Sequence, residues 1–260
     1  MLRQLNRAHR VITLVLASLL ACASLPAAAA VPGAPIIGSV TAGDGQASVA
    51  FAPPASNGGQ AITSFTATAF PGGATGSGAS SPITVTGLTN GTAYTFTVTA
   101  TNADGTGPSS GASGSATPKA DQSITFANPG SQSFGSSLTL TASSTSGLPV
   151  TLSSSTTGVC SITSGGALTF VTAGSCTIDA DQAGNGSTNA APTVSQTFTV
   201  NAVVPGAPTI GTATAGNNQA DVAFTAPASK GGATITGYTV TSSPGASPAP
   251  APARQSRSPA

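Results

Sequence analysis

The segment Ile83–Ser110 reads ITVTGLTNGTAYTFTVTATNADGTGPSS and shows a clear β-strand pattern. Apolar residues occupy every second position at its centre: Tyr94, Phe96, Val98 and Ala100. Threonines fill the positions between them, so one face of a strand would be apolar and the other would carry hydroxyls. The turn signals TNGT and ADGTG bound this run. The pattern predicts antiparallel strands that pack on one side, as in a β-sandwich.

The composition of the whole chain agrees with an all-β fold. Only 5% of the 260 residues are charged, while there are 32 glycines, 20 prolines and no tryptophan. Short runs of Thr, Val, Ile and Phe between Gly and Pro are typical of strands joined by turns. A disordered low-complexity chain is the alternative, and the regular alternation disfavours it.

An internal repeat divides the chain into modules. The segment VPGAPIIGSVTAGDGQASVAFAPPASNGGQAITSFTATAFPG occupies residues 31–72, and VPGAPTIGTATAGNNQADVAFTAPASKGGATITGYTVTSSPG occupies residues 204–245. They align without a gap at an offset of 173, with 26 of 42 positions identical. The chain therefore uses one module twice.

The first copy continues to Pro118 and resembles a bacterial fibronectin type III domain. The resemblance rests on PGAP at its start, VAFAPP in the second strand, and the stretch quoted above. It implies a sandwich of about seven strands over residues 31–118. It also implies a structural tyrosine corner at Leu88 and Tyr94, in which the phenol hydroxyl bonds to nearby backbone. Phe51 stands where many members of the family carry a core tryptophan.

Residues 119–202 form a different unit, which resembles the immunoglobulin-like repeats of bacterial surface proteins. The resemblance rests on GLPVTLSSSTTGVCSI and GSCTIDADQAGN. The strand-like runs are SITF, SLTLTA, LPVTLSSS, VCSIT, ALTFV, SCTIDA and VSQTFTV. Cys160 and Cys176 flank a predicted hairpin that turns at Gly165–Gly166. In an exported protein such a pair predicts a disulfide, with free thiols or a metal site as alternatives.

Residues 1–30 are predicted to be a secretory signal peptide. A basic start, an apolar run of about a dozen residues and PAAAA precede a favoured cleavage site at residues 28–30. A lipoprotein signal with lipidation at Cys22 is the alternative. Both readings predict export from a bacterium. The apolar run is short for a transmembrane helix, so no membrane span is expected in the mature chain.

Chemically reactive groups are scarce. The only histidine, His9, lies in the signal, so a catalytic triad would lack its base. Asp179 and Asp181 are expected to be a solvated pair, because two or three oxygens are too few for calcium. The Gly-rich segment 71–80 is expected to be a flexible connection. The sequence predicts no enzyme activity, no cofactor, no metal site and no basic face for nucleic acid.

The second copy of the repeat stops halfway. Residues 203–245 are predicted to be a truncated fibronectin type III domain, and residues 246–260 a disordered tail. With permitted codons, Arg254–Ala260 read two bases later gives PITVTG, the sequence at residues 82–87. The tail is therefore expected to be frameshifted coding sequence, with a genuine Pro-rich tail as the alternative. We expect that the half-module does not fold by itself and that limited proteolysis trims the chain to about Val203.

These observations predict an all-β chain of tandem antiparallel β-sandwiches, of which the last is truncated. The function they favour is that of a non-catalytic exported structural or adhesive protein. Its modules would act as spacers or interaction units at the bacterial cell surface, with a protein or glycan as partner. The alternative is an accessory spacer region of a secreted polysaccharide-degrading enzyme whose catalytic domain is missing from this fragment. Carbohydrate binding by the modules is disfavoured, because Tyr94 and Tyr238 are the only tyrosines and both are expected in cores.

Overall fold

The computed structural model describes residues 30–242, and every regular element in that range is a β-strand. The predicted all-β class is confirmed. The contacts divide the chain into two compact units. The first runs to Ala120 and includes Gly186–Thr188; the second comprises Asp121–Asn185 and the residues from Asn189 onward. No helix long and apolar enough to span a membrane occurs between residues 30 and 242.

The first unit contains a seven-stranded sandwich, which we call the first sandwich. Its strands are β1 (Ile36–Gly43), β2 (Gln46–Ala52), β3 (Ser64–Phe70), β4 (Thr75–Gly78), β5 (Ile83–Thr86), β6 (Thr95–Asn102) and β7 (Gly105–Thr106). One sheet has the order β1-β2-β5, and the other has the order β4-β3-β6-β7. All pairs are antiparallel.

The alternating pattern read from the sequence accounts for the core of the first sandwich. In β6, Phe96, Val98 and Ala100 are fully buried, while the threonines between them lie on the outer face. In β2, Ala47, Val49 and Phe51 face the same interior. Because side chains alternate between the two faces of a strand, each sheet has one apolar face. The apolar faces of the two sheets pack against each other and form the core.

The Gly-rich segment 71–80 was expected to be a flexible connection, but it also contains a strand. Residues 75–78 form β4, which pairs with β3 at the edge of its sheet. A Cβ atom at Gly76 would lie 2.2 Å from the carbonyl oxygen of Thr84 in β5. The glycine is therefore explained by close approach of two strands, which leaves no room for a side chain.

The second unit contains nine strands that form what we call the second sandwich. They are β8 (Ile124–Phe126), β9 (Gln132–Ser133), β10 (Leu138–Thr139), β11 (Ala142–Ser144), β12 (Thr151–Ser154), β13 (Cys160–Ile162), β14 (Ala167–Phe170), β15 (Gly174–Asp181) and β16 (Val194–Asn201). The sheets have the orders β10-β14-β13, β11-β8 and β12-β15-β16-β9. The pairing is antiparallel except for a short parallel contact between β16 and β9.

The strand-like run SLTLTA does not form one continuous strand. It is split between β10 and β11, which belong to different sheets. Between them Leu140 is buried, and its N–H donates to the carbonyl of Gly166 at 2.8 Å. Gly166 has a φ of 82°, and a Cβ atom there would lie 2.1 Å from the Leu140 oxygen. The β13–β14 turn thus holds the chain at the point where it leaves one sheet for the next.

The second copy of the repeat, which we call the half-module, forms a single hairpin. Strand β17 (Thr209–Gly216) pairs with β18 (Gln219–Thr225). The register repeats that of β1–β2, including the irregularity after the second paired residue. Most of its side chains are exposed.

Several predictions lie outside the described residues. These are the signal peptide with its cleavage site, the lipidation at Cys22, and the frameshifted tail of residues 246–260. The trimming of the half-module by proteases also stays a prediction.

Candidate interaction surfaces

The disulfide joins two sheets of the second sandwich. Cys160 begins β13 and Cys176 lies in β15, and their bonded sulfurs bring the two Cα atoms to 5.8 Å. Both residues are fully buried. Because β13 and β15 belong to different sheets, the bond crosses the core and ties those sheets together. The predicted disulfide is confirmed.

Hydroxyl groups surround the disulfide. The Ser154 hydroxyl donates to the Cys160 carbonyl at 2.7 Å. The Thr156 hydroxyl oxygen accepts from the Thr177 N–H at 2.8 Å and lies 3.5 Å from the Cys160 sulfur. These bonds hold the segment between β12 and β13 against β15. Ser154 and Thr156, which belong to no recognisable motif in the sequence, therefore form hydrogen bonds with backbone groups beside the core.

The Tyr94 side chain holds the connection between β5 and β6. Its ring is buried, and its hydroxyl oxygen accepts from the Thr89 N–H at 3.1 Å. Leu88 is also buried, and its N–H donates to the carbonyl of Gly45 at 2.9 Å. The two residues thus fix the chain as it passes from one sheet to the other.

The turn between β1 and β2 is bound to the same connection. The Asn90 side-chain oxygen accepts from the Gly45 N–H at 2.9 Å, and its amide donates to Asp44 at 2.7 Å. The β1–β2 turn, with the sequence GDGQ, and the predicted turn TNGT therefore bind each other. Asp44 and Asn90 have a structural explanation and need no ligand.

Asp179 and Asp181 lie on the outer face of β15, two residues apart. The Ser195 hydroxyl donates to Asp179 at 2.5 Å, and the Thr193 hydroxyl donates to Asp181. Both donors belong to β16 or to the residues just before it. The two carboxylates are thus held by separate hydroxyls and do not converge on a common point. Within residues 30–242, no three His, Cys, Asp or Glu side chains lie close enough to hold a metal.

The first sandwich contains a buried amide that the sequence analysis missed. Asn102 ends β6 and continues the inward alternation of Phe96, Val98 and Ala100. Its amide donates to the carbonyls of Ala30 and Asn57 at 2.8 and 2.9 Å. Its oxygen accepts from the N–H groups of Asp104 and Gly105. A polar residue at an inward position was the signal, since a buried amide needs partners.

A similar network closes one end of the second sandwich. Gln122 and Gln182 are buried and hydrogen-bond to each other. Gln122 also donates to the Asn189 carbonyl at 2.7 Å, and Gln182 accepts from the Gly184 N–H at 2.5 Å. The two glutamines are 60 residues apart in sequence, so no local pattern could have paired them.

Serines cover the outer edge of β6 beyond β7. The N–H of Val98 donates to the Ser110 hydroxyl, and the N–H of Phe96 donates to the Ser113 hydroxyl, both at 2.9 Å. The backbone of the same segment returns bonds to the Val98 and Phe96 carbonyls. The irregular chain after β7 therefore satisfies the strand as a neighbouring strand would. This edge of the first sandwich has no open backbone groups at those positions.

The half-module is the surface where apolar side chains are most exposed. Ile210 is 70% exposed and Val204 is 88% exposed. A cleft of about 150 Å³ opens beside the hairpin, with the Phe224 and Tyr238 rings 4.6 Å apart. We call it the hairpin cleft, and its lining residues are Pro208, Ile210, Val222, Phe224, Tyr238, Thr239, Val240 and Thr241.

A comparison with known protein families matches part of the first sandwich. Residues 34–114 match the family described as Fibronectin type III domain. This part of the chain is thus a fibronectin type III domain. No curated protein sequence matches the chain.

Solved structures that are similar include regions of twitchin, titin and chicken CNTN1. The twitchin kinase region from C. elegans is 24% identical over 34% of this chain and 17% of its own, with a TM-score of 0.30. Titin domains A168–A170 are 25% identical over 34% of this chain and 32% of their own, with a TM-score of 0.31. Chicken CNTN1 domains FN1–FN3 are 16% identical over 70% and 72%, with a TM-score of 0.30. The chain spans less than a third of the length of the first two.

Proposed function

We propose that this protein is an exported, non-catalytic structural protein whose modules act as spacers or interaction units at a bacterial cell surface. Fibronectin type III domains serve as structural or interaction modules, and residues 34–114 form one. The second sandwich follows it with a separate core of its own. A chain made of modules that each have a core of their own suits a structural or interaction role.

The buried disulfide is the observation that carries this proposal. Disulfides form and persist outside the reducing cytoplasm. The bond between Cys160 and Cys176 spans the second sandwich from sheet to sheet, and this buried bond supports a location outside the cytoplasm. The basic and apolar residues at the start of the sequence, read as a signal peptide, agree with this location.

A partner would be a protein or a glycan, bound through loops or strand edges. Those are the regions in which sandwiches commonly carry function. In the first sandwich the edge of β6 is covered by Ser110 and Ser113. Other edges and loops are therefore the places to search for a partner in this domain.

Localisation and thiol state test the proposal together. The full chain, tagged at its C-terminus, is expressed in a bacterial host, and intact cells are treated with protease. We expect the tag to be removed from intact cells. In denaturant, which exposes both buried residues, we also expect Cys160 and Cys176 to react with a thiol reagent only after reduction.

A variant that blocks export is the matched control. Leu16→Arg together with Leu19→Arg interrupts the apolar run of the signal and should leave the protein inside the cell with reactive thiols. The mass of the exported protein distinguishes the two hypotheses for the signal. A chain beginning near Val31 supports ordinary cleavage, whereas a lipid on Cys22 supports the lipoprotein. A wild-type chain that stays inside with reduced cysteines would refute export.

A further inference from the structure

Strand β18 of the half-module has an edge that is filled in the first sandwich. There β2 pairs with β1 on one side and with β5 on the other. The β2–β5 register joins Gln46 to Thr86 and Val49 to Ile83. Among the described residues, β18 pairs only with β17. Its second edge presents N–H and C=O groups that another strand can use.

The two hairpins are alike enough for one to serve as a template for the other. Strand β18 reads QADVAFT where β2 reads QASVAFA. Both hairpins share one register and one irregularity. The strand that fits the edge of β2 therefore fits the edge of β18, with its residues opposite Gln219, Ala220, Asp221 and Val222.

The apolar face of the half-module points to the same missing element. In the first sandwich Val49 and Phe51 are buried, and Ile83 and Val85 of the neighbouring strand β5 are buried on the same face of that sheet. In the half-module the equivalents Val222 and Phe224 line the open hairpin cleft. A strand added at β18 would place two β-branched side chains beside Val222 and Phe224, on the face of the sheet that borders that cleft.

We propose that the edge of β18 is a strand-addition site for an extended segment of a partner chain. The segment alternates β-branched apolar residues with threonine, as Ile83–Thr86 does. Main-chain hydrogen bonds supply the attachment, and the apolar side chains select the register because a slip by one residue would turn them to solvent. This goes beyond the spacer role and does not depend on where the protein resides.

Asp221 gives the site a charge preference. It stands where β2 has Ser48, whose partner in β5 is Thr84. Asp221 is exposed on the outer face of the hairpin. Cross-strand neighbours of opposite charge attract and like charges repel. A partner segment with lysine at the position of Thr84 is therefore favoured over one with aspartate.

Labelled peptides test the site on the full chain. The probe is SPITVTGL, the sequence of residues 81–88, and the matched control is SPIVTTGL, which has the same composition without the alternation of apolar residues and threonine. We expect fluorescence anisotropy to show saturable binding of the probe, and amide exchange to slow at residues 219–225. The control peptide should not bind. Equal binding of both peptides would overturn the proposal.

Charge exchange tests the register. Peptides with lysine or aspartate in place of Thr84 should bind more tightly and more weakly than the probe, by about twofold to fivefold each. Asp221→Lys should invert that order. Ser48→Lys, at the equivalent position of the first sandwich, should leave it unchanged because β5 already fills that edge.

Two outcomes would overturn the proposal even if the chain is well folded. One is a peptide order that Asp221→Lys does not change. The other is a dimer of the chain, seen by sedimentation, that blocks residues 219–225 and resists the peptide. In that case a second copy, and not a partner segment, would occupy the edge.

Discussion

Hairpins β1–β2 and β17–β18 share their pairing register and differ in what covers them. Phe51 is 8% exposed and packs on Phe65 with ring centres 4.8 Å apart. Its equivalent Phe224 packs on Tyr238 in a similar way, yet it lines an open cleft. The first hairpin is enclosed by β3, β5 and β6, whereas residues 226–242 of the half-module contain no strand.

The comparison separates local from distant causes of structure. The turn between the paired strands recurs with a left-handed residue in both copies, Gly45 with φ 60° and Asn218 with φ 56°. Asparagine is among the few residues that adopt this conformation readily, so the substitution keeps the turn. Burial does not recur, because it depends on strands that lie 12 to 50 residues beyond the end of β2 in the first copy.

The largest difference is expected from removing the paired aromatic rings. Phe51→Ala leaves a cavity in a closed core and should lower the free energy of unfolding of the first sandwich by about 3–5 kcal/mol. Phe224→Ala removes a ring that borders solvent, so no calorimetric transition of the full chain should move appreciably. A comparable shift with Phe224→Ala would show that the half-module has a closed core.

The disulfide tests whether the two units are independent. Replacing Cys160 and Cys176 by serine should lower the stability of the second sandwich by about 3 kcal/mol, the loop-closure value for a separation of 16 residues. Chemical denaturation of the full chain, followed by amide exchange in β15 and β6, separates the two units. The β6 amides should be unaffected, and their loss of protection would mean that the units unfold together.

Proteolysis compares the two copies at equivalent bonds. Chymotrypsin should cut after Phe224 on the order of 100-fold faster than after Phe51, because opening the half-module costs far less than unfolding a closed sandwich. Mass spectrometry of timed digests measures both rates. Equal rates at the two phenylalanines would contradict the difference in packing.

The smallest effect is expected at a pair of equivalent glycines. Gly58 and Gly231 both have left-handed φ, and a Cβ atom would lie 1.9 Å from the Ala30 oxygen or 2.0 Å from the Val203 oxygen. Gly58→Ala should cost the first sandwich about 1–2 kcal/mol from backbone strain alone. Gly231→Ala should show mainly as faster amide exchange at Val203, whose N–H donates to Gly231. Thermal unfolding of both variants would reveal the contrast.

Much of the first sandwich could be predicted because the alternation of apolar and polar residues identifies its strands locally. The alternation around Phe96 predicted the buried face of β6, and the repeat predicted that Gln46–Ala52 and Gln219–Thr225 would be alike. The disulfide was predictable because the segment has two cysteines and no competing ligands.

Other features depend on contacts that no local pattern encodes. Gln122 and Gln182 meet across 60 residues, and β10 and β11 separate because Leu140 is held by a distant glycine turn. Strand β4 was not predicted from the sequence, because glycine usually indicates a loop. Here Gly76 instead permits the close approach of β4 to β5. Sheet membership therefore had to come from the structure.

The disulfide also sets how far the chain can lengthen under tension. Cys160 and Cys176 are separated by 16 residues but stay 5.8 Å apart. Fully extended, that segment would span roughly 55 Å. If the second sandwich is unfolded by pulling on its ends, the intact disulfide prevents this segment from extending. The oxidised chain is then about 50 Å shorter at full extension than the reduced chain. A molecule stretched between two surfaces would thus reach a shorter maximal length in an oxidising medium than in a reducing one.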